Sequence, residues 1–153
     1  MVLDTYARTP LDTAWSQEGR EFIVVCSSQA ETARTEALTR VGARVVRVSA
    51  RSGGVDVFDL TTALTAEGRS RILVEGGPRV FRSFVAAGAW DALWIYRSPK
   101  EFGDAGVPLV ASPTHRMPGR MVDDIAIGED RRLGFVNDSR WSSLIDALAA
   151  ARS

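Results

Sequence analysis

The chain is poor in the residues that most often carry chemistry. Among 153 residues there is one cysteine, Cys26, and one histidine, His115. A lone cysteine excludes an intramolecular disulfide and makes a reduced, cytosolic setting the simpler expectation. One Cys with one His also excludes a zinc site of the usual ligand spacing and gives no reason to expect a Cys-His dyad. Cys26 closes the apolar run Phe22-Ile-Val-Val-Cys26, where a small core side chain is a stronger reading than a nucleophile. His115 stands between Pro113 and Pro118 and reads as a surface loop residue. Lysine is almost missing as well: Lys100 is the only one among 19 basic residues, a usage that carries no functional weight. Charge of either sign is not in excess, with 19 Lys plus Arg against 19 Asp plus Glu, so no broad positive field holds nucleic acid or an anionic membrane. Any anion site must therefore be local. No stretch approaches the roughly 18 apolar residues of a spanning helix, and Asp4, Arg8 and Asp12 interrupt any run that could read as a signal peptide.

The general nucleotide and hydrolase fingerprints are missing too. There is no Gly-x-x-x-x-Gly-Lys-Ser/Thr loop, no Gly-x-Gly-x-x-Gly with a ribose-binding acid, and no Gly-x-Ser-x-Gly elbow.

What is present is alternation of strand and helix in a chain that is 45% hydrophobic, enough for one globular domain with a real core. Phe22–Cys26 is continuously apolar, as a strand covered on both faces requires. Ser28-Gln-Ala-Glu31 matches a capping box, and the spacing of Ala30, Ala33, Ala37, Leu38 and Val41 predicts a helix over 29–41 that stops at Gly42. Ala43–Val48 returns to strand character, Arg51-Ser-Gly-Gly54 breaks the chain, and Asp56 is set to cap a helix with Val57, Leu60 and Leu64 inward and Gly68 at its end. Ile72–Val74 is the next predicted strand, followed by a helix with Pro78 in its first turn and Val80, Phe81, Phe84 and Val85 on one face. Ala92–Tyr96 is a further strand; Asp124–Ile127 and Leu133–Val136 are short strand candidates, and Trp141–Ala150 a terminal helix. The order argues for an α/β sandwich on a largely parallel sheet with an antiparallel end, one domain over residues 1–153.

In such sheets ligands collect beyond the carboxyl ends of the parallel strands. The turn Glu75-Gly-Gly77 lies at one of these ends. Its glycines either allow tight packing or leave the Gly76 and Gly77 amides open to an anion, with the helix dipole, Arg79 and Ser83 in support. Glu75 is either a ligand carboxylate or a cap for neighbouring amides. Spacing leaves dinucleotide, mononucleotide and sugar phosphate all open. Trp15, Trp90, Trp94 and Trp141 form no spaced stacking set, Glu129-Asp-Arg-Arg132 reads as a solvated turn, and Asp123-Asp124 has no evident metal-binding partners.

Leu73-Val-Glu-Gly-Gly-Pro78, then Ala87-Gly-Ala-Trp-Asp91, Leu93-Trp-Ile-Tyr96 and Ser98-Pro-Lys-Glu-Phe-Gly103, together with the opening Val2-Leu-Asp-Thr-Tyr-Ala-Arg-Thr-Pro10, resemble the reductase domain of bacterial riboflavin biosynthesis over nearly all of residues 2–136. The resemblance implies a dihydrofolate-reductase-like fold: a three-layer α/β/α sandwich with a mostly parallel mixed sheet. It implies NADPH-dependent reduction of 5-amino-6-(5-phosphoribosylamino)uracil to its ribityl counterpart in the cytoplasm, with the protein mainly positioning the two partners. Glu75 would contact the pyrimidine substrate; Gly76, Gly77, Pro78, Arg79, Val80, Phe81, Arg82 and Ser83 would line the NADPH phosphates, and Thr5 would also face the cofactor. No catalytic side chain or metal ligand is assigned. The family pairs through this domain, so a homodimer is expected.

The departures are as informative. The family's upstream strand with a Ser-Leu-Asp-Gly-like motif, and its Thr…Asp-Pro…Arg segment, are not found here, and the fused deaminase's His-x-Glu and Pro-Cys-x-x-Cys zinc site cannot be built from one His and one Cys. The chain is therefore expected to be the C-terminal portion of the reductase, binding NADPH weakly and reducing nothing alone. A nonenzymatic remnant that binds a nucleotide or a partner, and a related reductase acting on another pteridine or pyrimidine, are the alternatives.

Overall fold

A computed structural model describes residues 1–12, 21–101, 103, 106–109 and 117–143. His115, Trp15 and residues 144–150 of the predicted terminal helix lie outside the described residues; residues 138–143 are helical, so the helix starts before Trp141. The chain divides into two compact units, Met1–Leu73 and Val74–Ser153.

In the first unit, β1 (Val2–Leu3), β2 (Ile23–Ser27) and β3 (Arg44–Val48) form a parallel sheet in the order β1-β2-β3. All five residues of β2 are buried, as its unbroken apolar run requires. Helix α1 (Thr32–Arg40) covers one face: Val24 and Cys26 pack in a cluster with Ala7, Ala30, Leu38 and Ala43. Successive strand side chains point to opposite faces, so Ile23 and Val25 serve the other side, where Ile23 and Leu64 of α2 (Val57–Ala66) border one hollow. Helix α2 follows its spacing closely. The Asp56 carboxylate accepts from the Phe58 and Asp59 amides, Val57, Leu60 and Leu64 are buried, and Gly68 turns out at φ +77°. Between β3 and α2, the strands β4 (Ala50–Arg51) and β5 (Gly54–Val55) make a small antiparallel hairpin through Ser52 and Gly53, whose positive φ values of 50° and 75° suit a tight hairpin turn.

Helix α1 starts later than its capping box predicts. Ser28 donates its amide to the Val48 carbonyl and Ala30 to that of Ser27, so a turn held to the sheet precedes the helix. The N-cap is Glu31, which makes no side-chain cap bond.

In the second unit, α3 (Pro78–Ala86) leads to an antiparallel sheet of β6 (Ala92–Arg97), β7 (Arg120–Ile127) and β8 (Asp130–Val136) in the order β6-β8-β7. Helix α3 has Pro78 in its first turn, Phe84 buried and Gly88 at φ +63° beyond its end, as its sequence predicts. The Asn137 amide N–H donates to the Asp91 carbonyl at 3.0 Å, its side-chain amide donates to Trp90 O at 3.1 Å, and Arg140 Nε reaches Asp91 at 2.7 Å, tying the entry of β6 to the end of β8. A bulge between Met121 and Asp123 puts one extra residue into β7.

Two expectations need correction. Parallel pairing is confined, among the described residues, to the first unit, and the remaining strand pairs are antiparallel. Ile72–Val74 does not form a strand: no described residue pairs with it, and Leu73 is 75% exposed. Apolar sequence makes a segment fit for a sheet, but the strand exists only when a neighbour takes up its N–H and C=O groups.

Candidate functional site

The Glu75-Gly-Gly77 turn and α3 are built by local chemistry. Gly77 is the N-cap, with φ −63° and ψ 179°, and among the described residues no side-chain cap bond is made at this helix start. The capping alternative for Glu75 is thus not realised: the residue is exposed, and among the described residues it has no ion-pair partner. The two glycines differ in what they do. A Cβ at Gly76 would stand 2.6 Å from the Val80 Cβ, so this position must be glycine for the chain to turn against α3. A Cβ at Gly77 would meet nothing within 4 Å, and the Gly77 backbone is open to any residue. Nothing in the fold asks for a glycine there.

The first turn of α3 contains no acidic residue. Arg79 and Arg82 are exposed, and neither has an ion-pair partner among the described residues. Arg82 Nε donates to the Pro78 carbonyl at 3.0 Å, and the Ser83 hydroxyl to that of Arg79 at 3.0 Å, both on the solvent side of the helix. Val80 and Phe81 are half-buried and face the packing side with Phe84. Of the predicted set, Gly76, Gly77, Arg79, Arg82 and Ser83 therefore share an accessible helix start, whereas Val80 and Phe81 serve its anchoring. Free amides, a helix dipole and two guanidinium groups make a local positive site in a chain of zero net charge.

Thr5 belongs to the first unit, in the turn that follows β1. Its carbonyl accepts from Ser27 N at 3.0 Å and Ser27 Oγ at 2.9 Å. The Asp4 carboxylate accepts from the Thr9 amide at 2.5 Å and the Thr9 hydroxyl at 2.8 Å, and pairs with Arg8. Ala7 is fully buried at φ +56°, a left-handed conformation uncommon for a residue with a Cβ. Arg34, on α1, donates Nε to the Ala7 carbonyl at 3.0 Å and Nη2 to that of Thr9 at 3.1 Å. Sequence reasoning missed Arg34 and Ser27, because their partners lie more than 20 residues away and leave no local pattern.

Other conspicuous groups are accounted for by structure. Burial pushes the Cys26 thiol up, against a smaller opposing effect of Arg47, which suits a core residue and not a nucleophile. Asp123 and Asp124 are held by Arg132 and Arg131, and among the described residues no group of His, Cys, Asp or Glu could hold a metal ion. Two hollows of the first unit, of about 460 and 420 Å³, contain none of the sequence-predicted site residues.

Residues 1–123 match the RibD C-terminal domain family. Among curated proteins, the riboflavin biosynthesis protein RibD of Chlamydia muridarum is 29% identical over 111 residues, which is 72% of this chain and 29% of that protein. Among solved structures, RibD of Acinetobacter baumannii is similar with a TM-score of 0.67 at 17% identity, covering 87% of this chain and 36% of that one. A pyrimidine reductase-like protein of Corynebacterium diphtheriae gives 0.60 at 20% identity, covering 74% of this chain and 49% of that one. At such identities the structural likeness speaks for the fold, and the chain covers only 29% to 49% of the length of these proteins.

Proposed function

The chain belongs to the RibD C-terminal domain family, and from that premise we propose that it is the C-terminal portion of an NADPH-dependent reductase of riboflavin biosynthesis, with a phosphoribosylamino-pyrimidine as substrate. The same reading carries a dihydrofolate-reductase-like fold of the three-layer α/β/α class, a place of work in the cytoplasm and a homodimer as the assembly.

The observation that carries the reading is Gly77. A glycine at a helix N-cap forgoes a few tenths of a kcal/mol that Ser, Asp or Asn would add, and here neither backbone angle nor packing requires it. Close approach of a ligand phosphate to the backbone accounts for it. In this reading the amides at the start of α3 and the forked donors of Arg79 and Arg82 hold the cofactor phosphates, with a neutral contact from Ser83; the Thr5 hydroxyl, in the first unit, is by itself a proposed cofactor contact. Glu75, exposed beside the turn, orients the substrate base through its carboxylate. NADPH, when bound, supplies the hydride for the opened sugar. The protein's own share is binding, orientation and exclusion of water.

The test is NADPH titration of the purified chain, followed by quenching of tryptophan fluorescence and repeated with NADH and with Gly77→Asp. Saturable, weak binding that G77D abolishes is the expected result. Binding untouched by G77D would remove the phosphates from this turn. Incubation with the pyrimidine substrate and NADPH is expected to give no turnover from the chain alone, and measurable turnover would overturn the claim that it is only a portion of the enzyme.

A further inference from the structure

We infer that Arg34 is a positioning residue for Thr5, acting through the main chain of the turn after β1; the inference rests on the reductase reading above. The turn is not held by its own sequence. Ala7 sits at φ +56° with no exposed surface, a conformation that persists only where the surroundings over-determine it. Those surroundings can be named. At one end, the Asp4 carboxylate gathers the Thr9 amide and hydroxyl. Ser27 holds the Thr5 carbonyl with its amide and its hydroxyl. Arg34 closes the other side: one rigid guanidinium bridges the carbonyls of Ala7 and Thr9, which flank Arg8.

The bridge needs a planar fork. A lysine ammonium is a point charge on a flexible stem and cannot hold two carbonyls in fixed mutual geometry. With the Thr5 carbonyl fixed and the left-handed step at Ala7 locked, the Thr5 backbone has one orientation, and its hydroxyl is presented from one place. Arg34 is set on α1 facing the turn, half-buried, and among the described residues no acidic group pairs with it; its guanidinium makes both of these bonds to the turn.

The experiment is a double-mutant cycle on NADPH affinity with Arg34→Ala and Thr5→Val, with amide hydrogen exchange and thermal melting recorded for each variant. T5V keeps the Thr5 carbonyl and its bonds to Ser27, so it reports the hydroxyl alone. In R34A the Ala7 and Thr9 amides are expected to exchange at least about tenfold faster, while Ala43, bonded to Leu38 at the C-terminal end of α1, keeps its rate. NADPH affinity is expected to fall about tenfold in R34A and in T5V, and no further in the double variant. Arg34→Lys is expected to bind as poorly as R34A, and guanidinium ion at non-denaturing concentration to restore binding to R34A but not to T5V.

Unchanged exchange in R34A would overturn the clamp. A loosened turn with wild-type NADPH affinity, or additive losses in the double variant, would overturn positioning through Thr5. Absence of NADPH binding by the folded wild-type chain would sink the reductase reading and this inference with it, an outcome distinct from wild-type and R34A chains that bind equally well.

Discussion

At the scale of single residues, the two glycines of the turn make opposite predictions. Gly76→Ala drives a Cβ to 2.6 Å from the branched carbon of Val80, which cannot rotate away. Overpacking of this kind costs about 1–3 kcal/mol, so the melting temperature should fall, and the added change Val80→Ala should recover part of the loss. Gly77→Asp should do the reverse: a carboxylate at an uncapped N-cap next to a helix dipole stabilises by up to about 1 kcal/mol, while NADPH binding is lost. A variant that melts higher and binds nothing identifies a position kept for a ligand. Cys26 gives a third case. Fully buried and with its thiol pushed up by desolvation, it should resist alkylation in the native chain and react only after denaturant is added. Fast native labelling would contradict the packing of β2 against α1.

At the scale of elements, what was legible in the sequence was what depends on near neighbours. The Asp56 cap, the inward face of α2, Pro78 at the start of α3 and the buried run of β2 all follow from residues within a turn or two of each other. Ile72–Val74 has the same apolar signature, yet a strand is completed by a distant partner, and sequence composition does not say whether the partner is there. The turn after β1 failed to be legible for the same reason: Arg34 and Ser27 act across more than 20 residues. The start of α3 was legible as chemistry, but not the division of labour between Gly76 and Gly77, which needs the position of Val80.

One further element-level feature lies in no motif. Glu21, Arg44, Glu67 and Arg69 form a closed ring of ion pairs joining the starts of β2 and β3 to the end of α2. Hydrogen bonds from Arg69 and then Arg44 hold the Glu21 carboxyl below its ordinary value of 4.5. A depressed carboxylate contributes stability that is present above the unfolded-state pKa and lost as pH falls through the folded one. The ring should therefore stabilise the chain at neutral pH and fade below about pH 4.5, and the wild-type melting temperature should lose its margin over Glu21→Gln in that window. Because these groups are exposed, added salt at pH 7 should also shrink the margin. Equal melting of wild type and E21Q from pH 7 down to pH 3 would show that the ring contributes nothing.

At the scale of the whole molecule, the balance of 19 basic and 19 acidic residues decides how an anionic cofactor can be held. Without a long-range field, the proposed reading takes affinity from contact at the start of α3, where among the described residues Arg79 and Arg82 bring full charges, so binding should weaken only shallowly with salt, unlike a polybasic surface. A ligand that binds only the folded state raises its stability by RT ln(1 + [L]/Kd), about 2.7 kcal/mol at a hundredfold excess over Kd. The melting temperature of the chain should therefore climb with NADPH concentration without reaching a plateau, while that of G77D stays flat from its higher starting point. The crossing of the two curves is the informative quantity: the NADPH concentration at which they meet measures how much stability the uncapped turn forgoes in exchange for its ligand. If both chains climb in parallel, the cofactor is bound elsewhere, and Gly77 is left without a reason in either the fold or the chemistry.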